Sequence, residues 1–84
     1  MIEESERARC TFRQYRDDAE HDPTAAERWR YWTTLARLKS LKEAGASWKE
    51  SAELLGIDVH DKATWSMRLG DRRVKVAQEV LDES

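Results

Sequence analysis

The sequence predicts an all-α fold, a compact bundle of about four to five helices. Charged residues make up 38% of the 84 residues, and the chain has one proline. Apolar residues recur at intervals of about three and four over most of the chain, and no segment alternates long enough for a strand. Short polar breaks separate the periodic segments, so the helices should share one modest core.

The first segment predicts a helix from about residue 4 to residue 20, because its apolar residues fall on one helical face. Pro23 then interrupts the pattern, since the residue before a proline disfavours helix. We therefore divide the chain into an N-terminal helical arm, residues 1–22, and a helical domain, residues 23–84. The stripe on the first helix consists of Ala8, Phe12, Tyr15 and Ala19.

The second segment predicts the longest helix, from about residue 25 to residue 44. Thr24 and Glu27 have capping-box spacing, in which two side chains accept hydrogen bonds from amides at the start of a helix. Gly45 should end the helix because glycine adopts a left-handed conformation easily. A broad apolar face is typical of a central scaffold helix. This face consists of Ala25, Trp29, Trp32, Leu35, Ala36 and Leu38.

Two shorter helices are predicted next, joined by a tight turn. Ser47 and Glu50 form a second capping box, so a helix should begin directly after the serine. Gly56 allows a left-handed stop. Either Asp58 or Asp61 can then cap the following helix.

A last helix is predicted to begin near Asp71, directly after Gly70. Its apolar residues form two adjoining rows, which suits a helix packed against the scaffold. The rows are Val74, Ala77 and Leu81, and beside them Val76 and Val80.

The paired short helices resemble a helix-turn-helix at about residues 46–69. In that motif a small residue in the first helix is followed four residues later by the turn glycine and then by an apolar residue. Ala52, Gly56 and Ile57 match this arrangement, and Trp65 stands where many such domains place an apolar or aromatic residue. The segment is similar to the helix-turn-helix of small phage terminase subunits, excisionase-like factors and small repressors.

One position departs from the motif. Six residues after Gly56, where the motif usually has valine or isoleucine, this chain has Lys62. A turn that is one residue longer would let Val59 or Ala63 take the buried position, and this would change which side chains face outward.

The resemblance implies that the second short helix enters the major groove of double-stranded DNA. Basic side chains could bind guanine acceptors or phosphates, and hydroxyls could contact bases or phosphates. Three acidic residues, Asp58, Asp61 and Asp71, lie beside this face and would repel phosphates. The candidate DNA-binding residues are Lys49, His60, Lys62, Thr64, Ser66, Arg68, Arg72 and Arg73.

Two functions of different classes follow from these observations. The first is a small DNA-binding regulator or phage DNA-packaging factor, which we expect to be a homo-oligomer because one motif buries little surface. The alternative is a protein-protein interaction module, such as a phage-encoded inhibitor or an assembly factor. The net charge of -2 and the acidic ends of the chain favour the alternative. The paired helices and their basic residues favour DNA.

Catalysis has little support in the sequence. His21 and His60 are far apart, Cys10 has no neighbouring histidine, and no glycine-rich phosphate loop is present. We therefore expect a protein that is not an enzyme, with no cofactor, no catalytic residues and no metal site.

The expected location is the cytoplasm. The lone Cys10 cannot form an internal disulfide, which fits a reducing compartment. No apolar run approaches the length of about 20 residues that a membrane span needs, and the amino terminus lacks the apolar segment of a signal peptide.

Overall fold

A computed structural model describes residues 4–83, and over this range the fold is all-α, as the sequence predicted. The side chains of Val59, Lys62 and Ala63 lie outside the described part, so the question of which of them is buried stays open. A single 3-10 turn, Val59–Asp61, precedes the fourth helix. The five helices are α1 Glu4–Asp18, α2 Pro23–Glu43, α3 Trp48–Leu55, α4 Lys62–Arg68 and α5 Arg72–Asp82.

Helices α1, α2 and α5 pack against one another in a three-helix unit. Ion pairs join Arg9 to Glu79 and, one turn later on both helices, Arg13 to Glu83, so α1 and α5 run parallel. The short connection after α1 reverses the chain, and α2 runs antiparallel to both neighbours. Helices α3 and α4 lie within the long connection from α2 back to α5.

The core lies where these three helices meet. Phe12 of α1, Ala36 of α2 and Val80 of α5 are each almost completely buried in one cluster. Ala36 and Ala77 occupy little volume, which lets α2 and α5 approach closely. The segment assigned to the N-terminal arm thus contributes a buried aromatic ring to the same core as the rest of the chain. Around the cluster pack Ala8, Tyr15, Trp29, Trp32 and Leu81.

The start of α2 differs from the prediction. The helix begins at Pro23, and the carboxylate of Asp22 accepts a hydrogen bond from the Thr24 amide at 3.0 Å. The predicted Thr24–Glu27 capping box is therefore wrong, because Thr24 already lies in the first helical turn. Proline suits the first helical position, since its φ is fixed near the helical value and its missing N–H is not needed there.

The predicted caps of α3 and the predicted start of α5 near Asp71 are confirmed. The Ser47 hydroxyl accepts a hydrogen bond from the Glu50 amide at 3.1 Å, and α3 begins at the next residue after the serine. Gly56 ends α3 in the left-handed conformation, with φ of 68°. Asp71 caps α5 by accepting from the Arg73 amide at 2.9 Å.

A row of arginines on α1 binds carboxylates at the end of α5. Arg13 donates two hydrogen bonds to Glu83, from Nε at 3.0 Å and from Nη2 at 2.6 Å, and Arg16 donates a third at 3.4 Å. These bonds favour the ionised carboxylate. The hydrogen bond from Arg13, with a smaller contribution from Arg16, holds the pKa of Glu83 below its ordinary value.

The lowered pKa of Glu83 predicts an acid-sensitive contribution to stability. Because the folded pKa lies below the unfolded one, the contribution is complete well above the ordinary glutamate pKa of about 4.3. It is lost as the pH falls through the lowered folded value. We expect Glu83→Gln to lower the free energy of unfolding at neutral pH, by an amount that shrinks as the solution is acidified. Urea unfolding across this pH range measures the difference.

The control is Glu53→Gln, which removes the same charge from an exposed position on α3. A constant difference between Glu83→Gln and the wild type at every pH would contradict the prediction.

Candidate nucleic-acid interface

The connection from α3 to α4 is a short, hydrogen-bonded turn. The Gly56 and Ile57 amides both donate to the Ala52 carbonyl, which closes the end of α3. The Asp58 carboxylate then accepts from the His60 amide at 2.8 Å and begins the 3-10 turn. Asp61 precedes α4 but its side chain caps nothing. The prediction that Asp58 or Asp61 caps the second short helix is therefore wrong, because Asp58 caps only the 3-10 turn and α4 has no side-chain cap.

Helix α4 rests on α2 through an aromatic pair and a cap. The rings of Trp65 and Tyr31 lie 5.6 Å apart, tilted by 33°. The Lys39 ammonium donates a 2.7 Å hydrogen bond to the carbonyl of Leu69, directly after α4. This places a positive charge at the negative end of the helix dipole. Trp65 and Leu69, four residues apart and half-buried, therefore form the inner side of α4.

The aromatic pair continues into the core. Tyr31 meets Trp32 edge to face at 5.5 Å, and Trp32 meets Phe12 at 5.1 Å. Four rings thus form a row from α4 through α2 to α1, which we call the aromatic row. Such contacts contribute beyond the burial of area alone. The aromatic row gives α4 a fixed side toward the molecule and leaves its other side to solvent.

The outer side of α4 carries several of the predicted DNA-binding residues. Thr64, Ser66 and Arg68 are exposed on α4, and His60 is exposed on the turn that precedes it. The side chain of Lys62 is outside the described part of the structure. Met67 is also exposed, at 82%, so the outer side is not purely polar.

The remaining predicted residues lie on other helices. Lys49 is exposed on the first turn of α3. Arg72 and Arg73 are exposed on the first turn of α5 and border the start of α1, near Glu4. Arg73 also lines a cleft of about 630 Å³ whose other walls include α1 and Trp32. The structure therefore places Thr64, Ser66 and Arg68 on α4. Arg72 and Arg73 lie where the start of α5 meets the start of α1.

The acidic residues beside this face have a local role. Two of the three, Asp58 and Asp71, accept hydrogen bonds from backbone amides that would otherwise lack a partner at the start of a helical segment. Their negative charge still opposes the binding of an anion such as a phosphate, because residues 46–73 hold five acidic and five basic side chains. Residues 46–73 therefore have no net charge. Any affinity of this face for DNA must come from where its individual cations lie.

The sequence interpretation did not identify Tyr31 and Lys39 as supports of α4. Both lie on α2, which α3 separates from α4 along the chain. Their contacts depend on how the chain folds back, and no local spacing encodes them.

Comparison with protein-family models, with curated proteins and with solved structures finds no match. None of the helices within residues 4–83 combines the length and apolar character needed to cross a membrane. Over the same residues, no group of three or more histidine, cysteine, aspartate and glutamate side chains is arranged to hold a metal ion.

Replacing the indole that holds α4 should loosen this helix selectively. We expect Trp65→Ala to speed amide hydrogen exchange in α4 by about tenfold or more, because the aromatic contact and its buried area are lost together. Exchange in α1 and α5 should stay nearly unchanged, since their core does not include Trp65.

Met67→Ala is the matched control, because it shortens an apolar side chain on the same helix that is already exposed. Equal acceleration in both variants would show that the contact with Tyr31 does not hold α4.

Proposed function

We propose that this protein binds double-stranded DNA by inserting the outer side of α4 into the major groove. The observation that carries the proposal is the two-sided character of α4. Trp65 and Leu69 lie toward α2, Thr64 and Arg68, four residues apart, are exposed on one flank of α4, and Ser66 is exposed on the opposite flank. A major groove about 12 Å wide admits one helix, and a helix that reads it needs one anchored side and one free polar side.

Each exposed side chain has a defined chemical role in this proposal. The Arg68 guanidinium can donate two parallel hydrogen bonds to guanine O6 and N7, or to a phosphate. The Thr64 methyl can contact a thymine methyl, and the Ser66 hydroxyl can donate to a base or a phosphate oxygen. His60, on the preceding turn, can donate from its ring to a phosphate.

Residues outside α4 would contact the DNA backbone. Arg72 follows α4 closely in the chain, and Lys49 is exposed at the start of α3. Contacts to phosphates fix the register of a protein on the duplex but do not distinguish sequences. With a net charge of -2, the whole molecule supplies little non-specific attraction. We therefore expect binding that needs a matching site and falls steeply with salt.

The proposal predicts that one arginine dominates the affinity. Arg68→Ala should weaken binding to a selected DNA site by about tenfold, as expected for loss of a bidentate base or phosphate contact. The site would be enriched from a random-sequence duplex library, and affinity measured by fluorescence anisotropy over a series of salt concentrations.

Arg30→Ala is the matched control, since it removes the same charge from an exposed position on α2 outside the predicted set. This change should leave affinity within about twofold, because Arg30 is outside the predicted contacts and exposed charges are screened by salt. If no duplex is enriched at low salt, or if both variants weaken binding equally, α4 is not a DNA-reading helix.

A second function, binding of a protein partner, is favoured by a separate observation. Leu54 is 71% exposed and Met67 is 82% exposed, two large apolar side chains on the short helices. Leu54 borders a groove with an apolar lining, and contiguous apolar surface commonly marks a protein interface. Loss of partner binding on replacement of Leu54, with DNA affinity unchanged, would assign the two functions to different surfaces.

A further inference from the structure

A groove lined by leucines runs between α3 and α5, with α2 as its floor. It encloses about 450 Å³. Gln78 of α5 donates to the Ala36 carbonyl and to the Ser40 hydroxyl, at 3.2 Å and 2.7 Å, and so closes the groove toward the core. Its apolar lining, which we call the leucine groove, consists of Leu41, Leu54, Leu55 and Leu81.

The leucines differ in how far they are covered. Leu41, Leu55 and Leu81 are half-buried, whereas Leu54 is 71% exposed on the edge of the leucine groove. Leu54 and Leu55 both belong to α3, so the same short helix supplies an apolar projection and part of an apolar recess. The surface of the leucine groove therefore contains both a projection and a recess, which are the two shapes that complementary packing requires.

The charges at the edges of the leucine groove are also of both signs. Arg37 borders it on α2 and Asp82 borders it on α5. Within residues 4–83 neither side chain forms an ion pair, in contrast to the arginines of α1, which bind Glu79 and Glu83. One exposed cation and one exposed anion thus border the same apolar recess.

We infer that the leucine groove is the interface of a symmetric homodimer. In a two-fold interface the same patch serves both copies, so each feature must meet its complement in the other chain. Leu54 of each copy enters the leucine groove of the other, between its α3 and α5. Arg37 of each copy then faces Asp82 of the other, which gives two equivalent ion pairs.

A second copy of the chain suits this patch better than an unrelated protein does. The projection, the recess, the cation and the anion all occur in one surface, which is what self-complementarity requires. A foreign helix would need only the recess, and would leave Leu54 exposed at the edge. This inference does not depend on DNA binding, because the leucine groove is formed by α2, α3 and α5 and includes no residue of α4.

The first test measures the mass of the full chain without DNA. Light scattering after size exclusion, over a wide range of concentrations, should show a species of twice the 9.9 kDa chain mass. Leu54→Asp should raise the dissociation constant by about tenfold or more, since it puts a charge into an apolar recess.

Met67→Asp is the control, because it adds the same charge at another exposed apolar residue, outside the leucine groove. Circular dichroism confirms that both variants stay helical. A monomer at all concentrations, or equal weakening by both variants, would overturn the inference.

The second test exchanges the charges. Arg37→Asp alone and Asp82→Arg alone should each dimerise more weakly, because like charges would meet at both contacts. Mixing these two variants should restore the dimer as a heterodimer, since one chain then carries only acidic and the other only basic groups at the two contacts.

Native mass spectrometry resolves this heterodimer when one chain is isotope-labelled. A mixture that dimerises no better than its components would exclude the pairing of Arg37 with Asp82. Neither test involves DNA, so failure here is separate from failure of DNA binding.

Discussion

Two neighbouring aromatic residues of α2 join this helix to α1 on one side and to α4 on the other. Trp32 packs on Phe12 of α1 and Tyr31 packs on Trp65 of α4. Successive residues on a helix point about 100° apart, so adjacent rings can serve two different partners. One ring closes the three-helix unit and the other positions the short helix beside it. Because the two rings also contact each other, the core and α4 share one rigid support.

The three-helix unit is held by two kinds of contact with different physical character. Small apolar residues on α2 and α5 allow close packing, and that packing is insensitive to salt and pH. Along the outside, α1 and α5 are joined by arginine-carboxylate pairs that salt and acid weaken. Exposed ion pairs add little to stability on average, but several in a row at matching positions fix the register of two parallel helices. The carboxylates of Glu79 and Glu83 therefore serve the fold and are not free for a ligand.

Features set by neighbouring residues could be predicted from the sequence. Ser47 with Glu50, the left-handed Gly56 and the start of α5 near Asp71 each involve hydrogen bonds within about four residues, where spacing determines geometry. The start of α2 was predicted wrongly because Asp22 and Thr24 are both residue types that cap helices and lie only two residues apart. Proline at the first helical position favoured Asp22 over Thr24. Contacts between distant residues, such as Tyr31 with Trp65 or Lys39 with the Leu69 carbonyl, leave no periodic trace in the chain.

The buried cluster and the exposed side of α4 belong to different parts of this molecule. Helix α4 contributes one half-buried tryptophan to the aromatic row, while the buried cluster belongs to α1, α2 and α5. Polar residues on α4 can therefore change without opening the core, which is the freedom that a recognition surface needs. The leucine groove lies outside α4 and borders α5, on which the core also depends. A partner bound there would stabilise the three-helix unit itself, by binding the folded state alone. Stability that rises with protein concentration would thus indicate association through the leucine groove, whereas DNA bound by α4 would raise stability with DNA concentration.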